Sequence, residues 1–163
     1  YQLIGSIFNA NRLISYVRKS KNKNQNQKLL KNDIILNLNL GEVYIDNTNL
    51  VNDLKGKIYI DDSQVVKADI SALFNDDENL TFSINTNMSE KVTTLFSSKA
   101  KSLVNRYNFV KGFKGGSLDF HSTKKNNISN SQLKIYDFKL KELPALTKLL
   151  TLASLQGLSL IHI

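Results

Sequence analysis

The chain has 163 residues, with 22 Lys and Arg against 14 Asp and Glu, giving a formal net charge of +8. Apolar residues make up 41% of it, too many for a disordered composition and enough for one domain with a core or a piece of a longer array. The absence of cysteine excludes disulfides, thiolate zinc centres and cysteine nucleophiles, and no apolar run approaches the ~20 residues that a spanning helix needs.

No signal-peptide pattern opens the chain, which begins at Tyr1; it is expected to be part of a larger protein whose membrane anchor lies outside it. Residues 1–30 form a weakly patterned N-terminal segment. Leu3, Ile4, Ile7 and Phe8 suggest a strand, and Leu13, Ile14 and Val17 a second strand or short helix. Arg18, Lys19, Lys21, Lys23, Lys28 and Lys31 then concentrate charge with no acidic residue among them. Such a run could meet phosphates of lipid head groups or of nucleic acid. Asn22, Asn24, Gln25, Asn26 and Gln27 interleave it without an aromatic residue, so a solvated loop accounts for it and no nucleic acid is expected as partner.

Residues 31–163 carry strand signals. Ile34, Leu36, Leu38 and Leu40 alternate with polar positions apart from Ile35, and Val43 and Ile45 follow a turn or bulge at Gly41. Asp46-Asn47-Thr48-Asn49 has turn chemistry. Leu54 to Asp61 is a strand with Ile58 and Ile60 on one face, and Val65 to Thr86 reads as a hairpin through Val66, Ala68, Ile70, Ala72, Phe74, Leu80, Phe82 and Ile84. Between about 89 and 107 the period changes. Ser89 suits a cap, and Val92, Leu95, Phe96, Leu103 and Val104 fall on one stripe, which predicts an amphipathic helix. Gly112, Gly115 and Gly116 lead into a strand with Leu118 and Phe120, and Ser131 to Leu140 is another strand, carrying Leu133 and Ile135. Pro144 and Gly157 suit the two ends of a last helix, 143–157. Its Leu146, Leu149, Leu150 and Ala153 belong to an apolar surface covering most of the circumference, which must pack on a sheet, a groove or a partner. The fold class is therefore mainly β with two helices (α+β), built from antiparallel strands.

No constellation for catalysis emerges. His121 and His162 are the only histidines, and neither has a ligand partner nearby in sequence. Asp61-Asp62 and Asp76-Asp77-Glu78 sit in turns. Gly112-Phe113-Lys114-Gly115-Gly116 lacks nucleotide-binding spacing and reads as a bulge where backbones approach. No serine occupies a nucleophile elbow. No enzyme activity, metal or cofactor is expected. The alternating apolar face fits a sandwich core or an open groove equally well.

Two stretches carry a family resemblance. One is Leu133-Lys134-Ile135-Tyr136-Asp137-Phe138-Lys139-Leu140 followed by Leu143-Pro144-Ala145-Leu146-Thr147-Lys148-Leu149-Leu150-Thr151-Leu152-Ala153-Ser154-Leu155-Gln156-Gly157. The other is LKGKIYIDDSQVVKADISALF from Leu54, with Gly115-Gly116-Ser117-Leu118 as a strand start. Together they resemble the AsmA-like envelope family, most closely the C-terminal region of its YhdP-like members. The tail Leu158-Ser159-Leu160-Ile161-His162-Ile163 departs from the family pattern.

The resemblance implies a curved antiparallel sheet forming an open hydrophobic groove, a half-pipe or β-taco, capped by the apolar C-terminal helix. It implies a periplasmic segment of an inner-membrane-anchored protein of Gram-negative bacteria that moves phospholipids to the outer membrane. The groove candidates are then Ile58, Ile60, Val66, Ile70, Leu80, Phe82, Ile84, Leu118, Phe120, Leu133 and Ile135. Partners would be phospholipids and neighbouring segments of the same chain. An interaction module docking outer-membrane or periplasmic proteins through residues 143–157 is the alternative, and a basic nucleic-acid binder the third reading.

Overall fold

The computed structural model describes residues 1–11, 33–62, 64–75, 78–106, 113–126 and 128–140. The basic run of residues 18–31 and the expected helix 143–157 lie outside them. Eight strands form one sheet in sequence order: β1 (Gln2–Asn9), β2 (Ile34–Tyr44), β3 (Leu50–Asp61), β4 (Gln64–Leu73), β5 (Asn79–Asn87), β6 (Glu90–Ser97), β7 (Phe113–Lys125) and β8 (Ile128–Leu140). One short helix, α1 (Ala100–Arg106), lies between β6 and β7. With β1 and β8 as edges, the sheet is not closed.

Two expectations are corrected. The sheet is mixed, because β1 runs parallel to β2, pairing Leu3 with Leu38. The first strand thus belongs to the same sheet as residues beyond 31. The helix expected over 89–107 is a strand from Glu90 to Ser97 and then seven helical residues. Val92, Thr93, Thr94 and Phe96 are β-branched or aromatic and favour the pleated surface. β6 finds a complete ladder on each side, with β5 and with β7. A helix as short as α1 is marginal alone. Ala100 and Val104 hold it by packing against Phe113 and Leu118.

The two ends of the sheet are built differently. At one end two residues separate Asp61 from Gln64, Asn87 from Glu90 and Lys125 from Ile128, which are paired positions in the ladders. Such tight hairpins need a left-handed residue to match the strand twist. Asp62, Met88 and Asn126 supply it, with φ of 45°, 53° and 55°. The opposite end carries the longer connections and both apolar cores. One core joins Leu40, Val43, Ile45, Val51, Ala72 and Phe74. The other is formed by Ala100, Val104, Phe113 and Leu118, with Leu95, Phe120 and Phe138 against it.

At the core end the buried side switches parity on both flanks. On β2 it passes from Leu40 to Val43, and on β3 from Leu54 to Val51. Asp53 between the latter two has φ 49°, and the β3–β4 register shifts between Asn52 and Lys55. The other flank repeats the device. Phe113 and Leu118 are both buried, and Gly115, Gly116 and Asp137 between and opposite them have positive φ. An extra residue or a left-handed turn inside a strand re-aims the side chains beyond it. That is how both flanks keep apolar side chains on the core past the ends of β4 and β5.

The β2–β3 connection is fastened by one carboxylate. Asp46 Oδ1 accepts from the backbone N–H of Thr48 and of Asn49, both at 2.7 Å. It also accepts from the Thr48 hydroxyl at 3.0 Å and the Asn49 amide at 3.1 Å, and Oδ2 accepts from that amide at 2.9 Å. Partial burial pushes the carboxyl pKa up, but these hydrogen bonds outweigh it and hold the group below its ordinary value. A lowered folded pKa contributes stability above the unfolded pKa of about 3.9 and loses it as pH falls through the folded value. Asp46→Ala is expected to cost about 1 kcal/mol at neutral pH. In urea unfolding, the gap between variant and wild type should narrow below about pH 4.

Candidate functional site

Residues directly opposite one another in adjacent strands point to the same face. The ladders therefore define rows across the sheet. One row runs Leu3–Leu38–Gly56–Ile70–Phe82–Leu95–Phe120–Leu133, each residue paired with the next. It crosses all eight strands and is apolar throughout. Gly56 is its one position without a side chain, and a Cβ there would lie 2.6 Å from the Asp69 carbonyl oxygen and 2.9 Å from Ile70 Cγ1. The neighbouring β-strand and the isoleucine occupy that space.

The row towards the core end contains Leu80, Ser97, Leu118 and Ile135, paired in that order. The row on the other side runs Leu36–Ile58–Ala68–Ile84–Thr93–Ser122–Ser131. Ile60 lies two residues beyond Ile58 and pairs with Val65. A register shift between Tyr59 and Ile60 leaves Val66 as the extra residue of a bulge, at the same parity as Ala68 and Ile70. The structure thus brings Ile58, Ile70, Leu80, Phe82, Ile84, Leu118, Phe120, Leu133 and Ile135 to one face, with Ile60 and Val66 beside the bulge. Leu3, Leu36, Leu38 and Leu95 share that face too. Leu36 and Leu38 were legible in their own alternation, whereas Leu95 was hidden by the helical reading of its segment.

The opposite face is mainly polar. It carries Asn37, Asn39, Lys55, Lys57, Lys67, Asp69, Ser71, Thr81 and Asn85, interrupted by Ile4, Ile35, Val92, Phe96 and Tyr59. The Tyr59 ring has Lys57 Nζ at 5.0 Å and Lys67 Nζ at 5.9 Å from its centroid. Ser83 and Thr94, directly opposite, share a hydroxyl hydrogen bond of 2.7 Å.

The apolar face is unevenly covered. At the core end Leu40, Ala72 and Leu118 are buried. Midway, Ile58, Ile70, Phe82, Ile84, Leu95 and Phe120 are only half-buried, and Leu133 is 46% exposed. Among the described residues, α1 is the only element outside the sheet that packs on this face. Among the described residues no second layer beyond α1 covers this apolar surface, and exposed apolar patches spanning several strands are the kind of surface that interaction sites use.

At the tight-hairpin end the face changes character. Thr93, Ser122 and Ser131 form a hydroxyl stretch, with Ser122 and Ser131 hydrogen-bonded at 2.8 Å. One row further out, Thr86 pairs with Lys91, Lys91 with Lys124, and Lys124 with Ser129. Lys91 Nζ donates to the Val65 carbonyl at 2.7 Å, and Lys124 is exposed. The Thr86 hydroxyl oxygen is buried without a hydrogen-bond partner.

His121 lies on the polar face, opposite Thr94 and Gln132. Among the described residues, no group of three or more His, Asp or Glu could hold a metal ion, and no helix is long and apolar enough to cross a membrane. A scan of protein-family models gives no match to this chain, and neither the curated proteins nor the solved structures yield one.

Proposed function

We propose that this chain holds lipid acyl chains against the apolar face of its sheet, as a non-enzymatic segment of an AsmA-like envelope protein that moves phospholipids between the inner and outer membranes. The sheet would curve into a half-pipe whose concave side is the apolar face. The observation that supports this reading is the unbroken row from Leu3 to Leu133, apolar on every strand and only half-buried at its centre. A sheet that used this face for a sandwich core would bring a second layer over it, and among the described residues α1 alone lies there. An open face lets methylene groups leave water at about 0.8 kcal/mol each, while the polar rim keeps a head group wet. The resemblance of Leu54 to Phe74 and of Leu133 to Gly157 to the AsmA-like family supplies the periplasmic location, the anchor elsewhere in the protein and the phospholipid cargo.

The test is native mass spectrometry of the chain with its flanking sequence, purified from a bacterial envelope. Co-purifying phospholipid masses are expected. A lipid-free protein with a stable fold would count against the groove and favour an interaction surface.

A further inference from the structure

An apolar segment of the sequence and an uncovered apolar surface of the structure lie next to each other. β8 ends at Leu140, at the core end of the sheet, and only Lys141 and Glu142 separate it from Leu143. The Cα steps across them, at most 3.8 Å each, reach about the 10 Å that separates packed layers. Residues 143–157 therefore begin beside the apolar face, on the strand that bears Leu133 and Ile135.

The spacing of the segment suits that surface. Leu146, Leu149, Leu150 and Ala153 fall at i, i+3, i+4 and i+7, one stripe of the helix expected there. Lys148 is the one charged residue of the segment, and helical spacing places it on the far side. The length suits it too. A helix over 143–157 would be about 22 Å long, and the strand from Leu140 back to Leu133 spans about 23 Å. A helix turning back from the end of β8 thus brings its last turns to the row of Leu133, Phe120 and Leu95. That row is half-buried or exposed, and among the described residues only α1 packs on its face. A segment on so short a tether meets the face at an effective concentration of order millimolar, which favours it over any free partner.

We propose that residues 143–157 lie over the apolar face as its resident cover, with the stripe from Leu146 to Ala153 turned to Leu133, Phe120 and Leu95, and that an acyl chain binds only by displacing them. The competition rests on the groove reading; the covering does not. Affinity for a ligand falls by the fraction of time the face is open, so a cover in place nine-tenths of the time lowers it about tenfold.

The test uses the full chain, whose lack of cysteine lets a pair be placed at will. Leu133→Cys with Ala153→Cys should be joined within one chain by a short bis-maleimide. Gln132→Cys with Ala153→Cys, one residue away on the polar face, should not. Leu133 and Gln132 are both exposed, so circular dichroism should stay that of the wild type in both pairs. Equal joining of the two pairs, joining of neither, or joining between chains in place of within one would each overturn the cover. A fluorescent polyene fatty acid then tests the competition. It should slow the joining of the first pair, and the double variant Leu146→Ser, Leu149→Ser should bind it about tenfold more tightly than the wild type. Binding of the probe with neither effect would overturn the competition. If neither the wild type nor the double variant binds the probe, the groove reading fails, and the joining pattern still decides the cover.

Discussion

Ile70→Asp and Phe82→Asp are each expected to abolish acyl-chain binding, lowering affinity for a long-chain probe at least 100-fold. The two residues are direct partners at the middle of the eight-strand row. Both are half-buried, so each has surface left to give to a ligand. A carboxylate there would have to lose water beneath a hydrocarbon chain, which is far costlier than the loss of a few methylene contacts. A hundredfold loss corresponds to about 2.7 kcal/mol, a modest share of what a desolvated charge would cost. Binding energy measured by probe titration reads the effect, and phospholipid masses should vanish from the native spectrum of either variant.

The control lies one residue away. Thr81 is exposed on the polar face beside Phe82, and Asp69, beside Ile70, is already an acid there. Thr81→Asp should therefore keep both fold and binding. Loss of binding in Thr81→Asp as well would show that a charge anywhere on β5 disturbs the sheet, and the groove assignment would lose its support. Unchanged binding in Phe82→Asp would place the acyl chain elsewhere.

Much of this face was legible because period two is a strong signal where one side is apolar and the other polar. Ile34 to Leu40 and Val66 to Phe74 show it plainly, and the strands lie where that alternation places them. The parity of residues on separate strands was not legible, since it depends on pairing register, and register is set by turns. Met88 and Ser89 make a two-residue hairpin without the Asn-Gly or Asp-Gly pair that advertises one. That missing signal, with Val92, Leu95 and Phe96 at helical spacing by coincidence, turned a strand into an expected helix. In the ladder Leu95 faces the apolar side while Val92 and Phe96 face the other. The parallel pairing of β1 with β2 was equally hidden, because the two are distant in sequence and a parallel neighbour leaves no local mark. The pairing of Lys91 with Lys124 escaped for the same reason: the two are 33 positions apart in the chain and meet only through the β6–β7 register.

The glycine pair in β7 was read as a place where two backbones approach, and the structure makes that quantitative. Gly115 and Gly116 have φ of 64° and 79°, both in the region that costs an ordinary residue about 1–2 kcal/mol. Their surroundings differ. A Cβ on Gly115 would find its nearest neighbour, the Asp137 carbonyl oxygen, at 3.8 Å. On Gly116 it would meet the Tyr136 carbonyl oxygen at 2.7 Å and Phe138 Cβ at 3.0 Å. Backbone on the partner strand cannot yield as a flexible side chain would. Beyond this point Phe113 and Phe138 stack with centroids 5.3 Å apart, and Ala100 and Val104 of α1 pack on Phe113. Any shift of β7 from β8 is transmitted to that cluster. Gly116→Val is thus expected to cost about 3 kcal/mol or more, combining left-handed strain, the clash and part of the aromatic packing. Gly115→Asn should cost less than about 1 kcal/mol, because Asn adopts positive φ readily and has room there. Urea midpoints of the two variants measure the difference. If Gly115→Asn proved as damaging as Gly116→Val, backbone conformation alone would set the constraint. If both were mild, the close approach of β7 to β8 at this level would not be what seats α1 on the sheet.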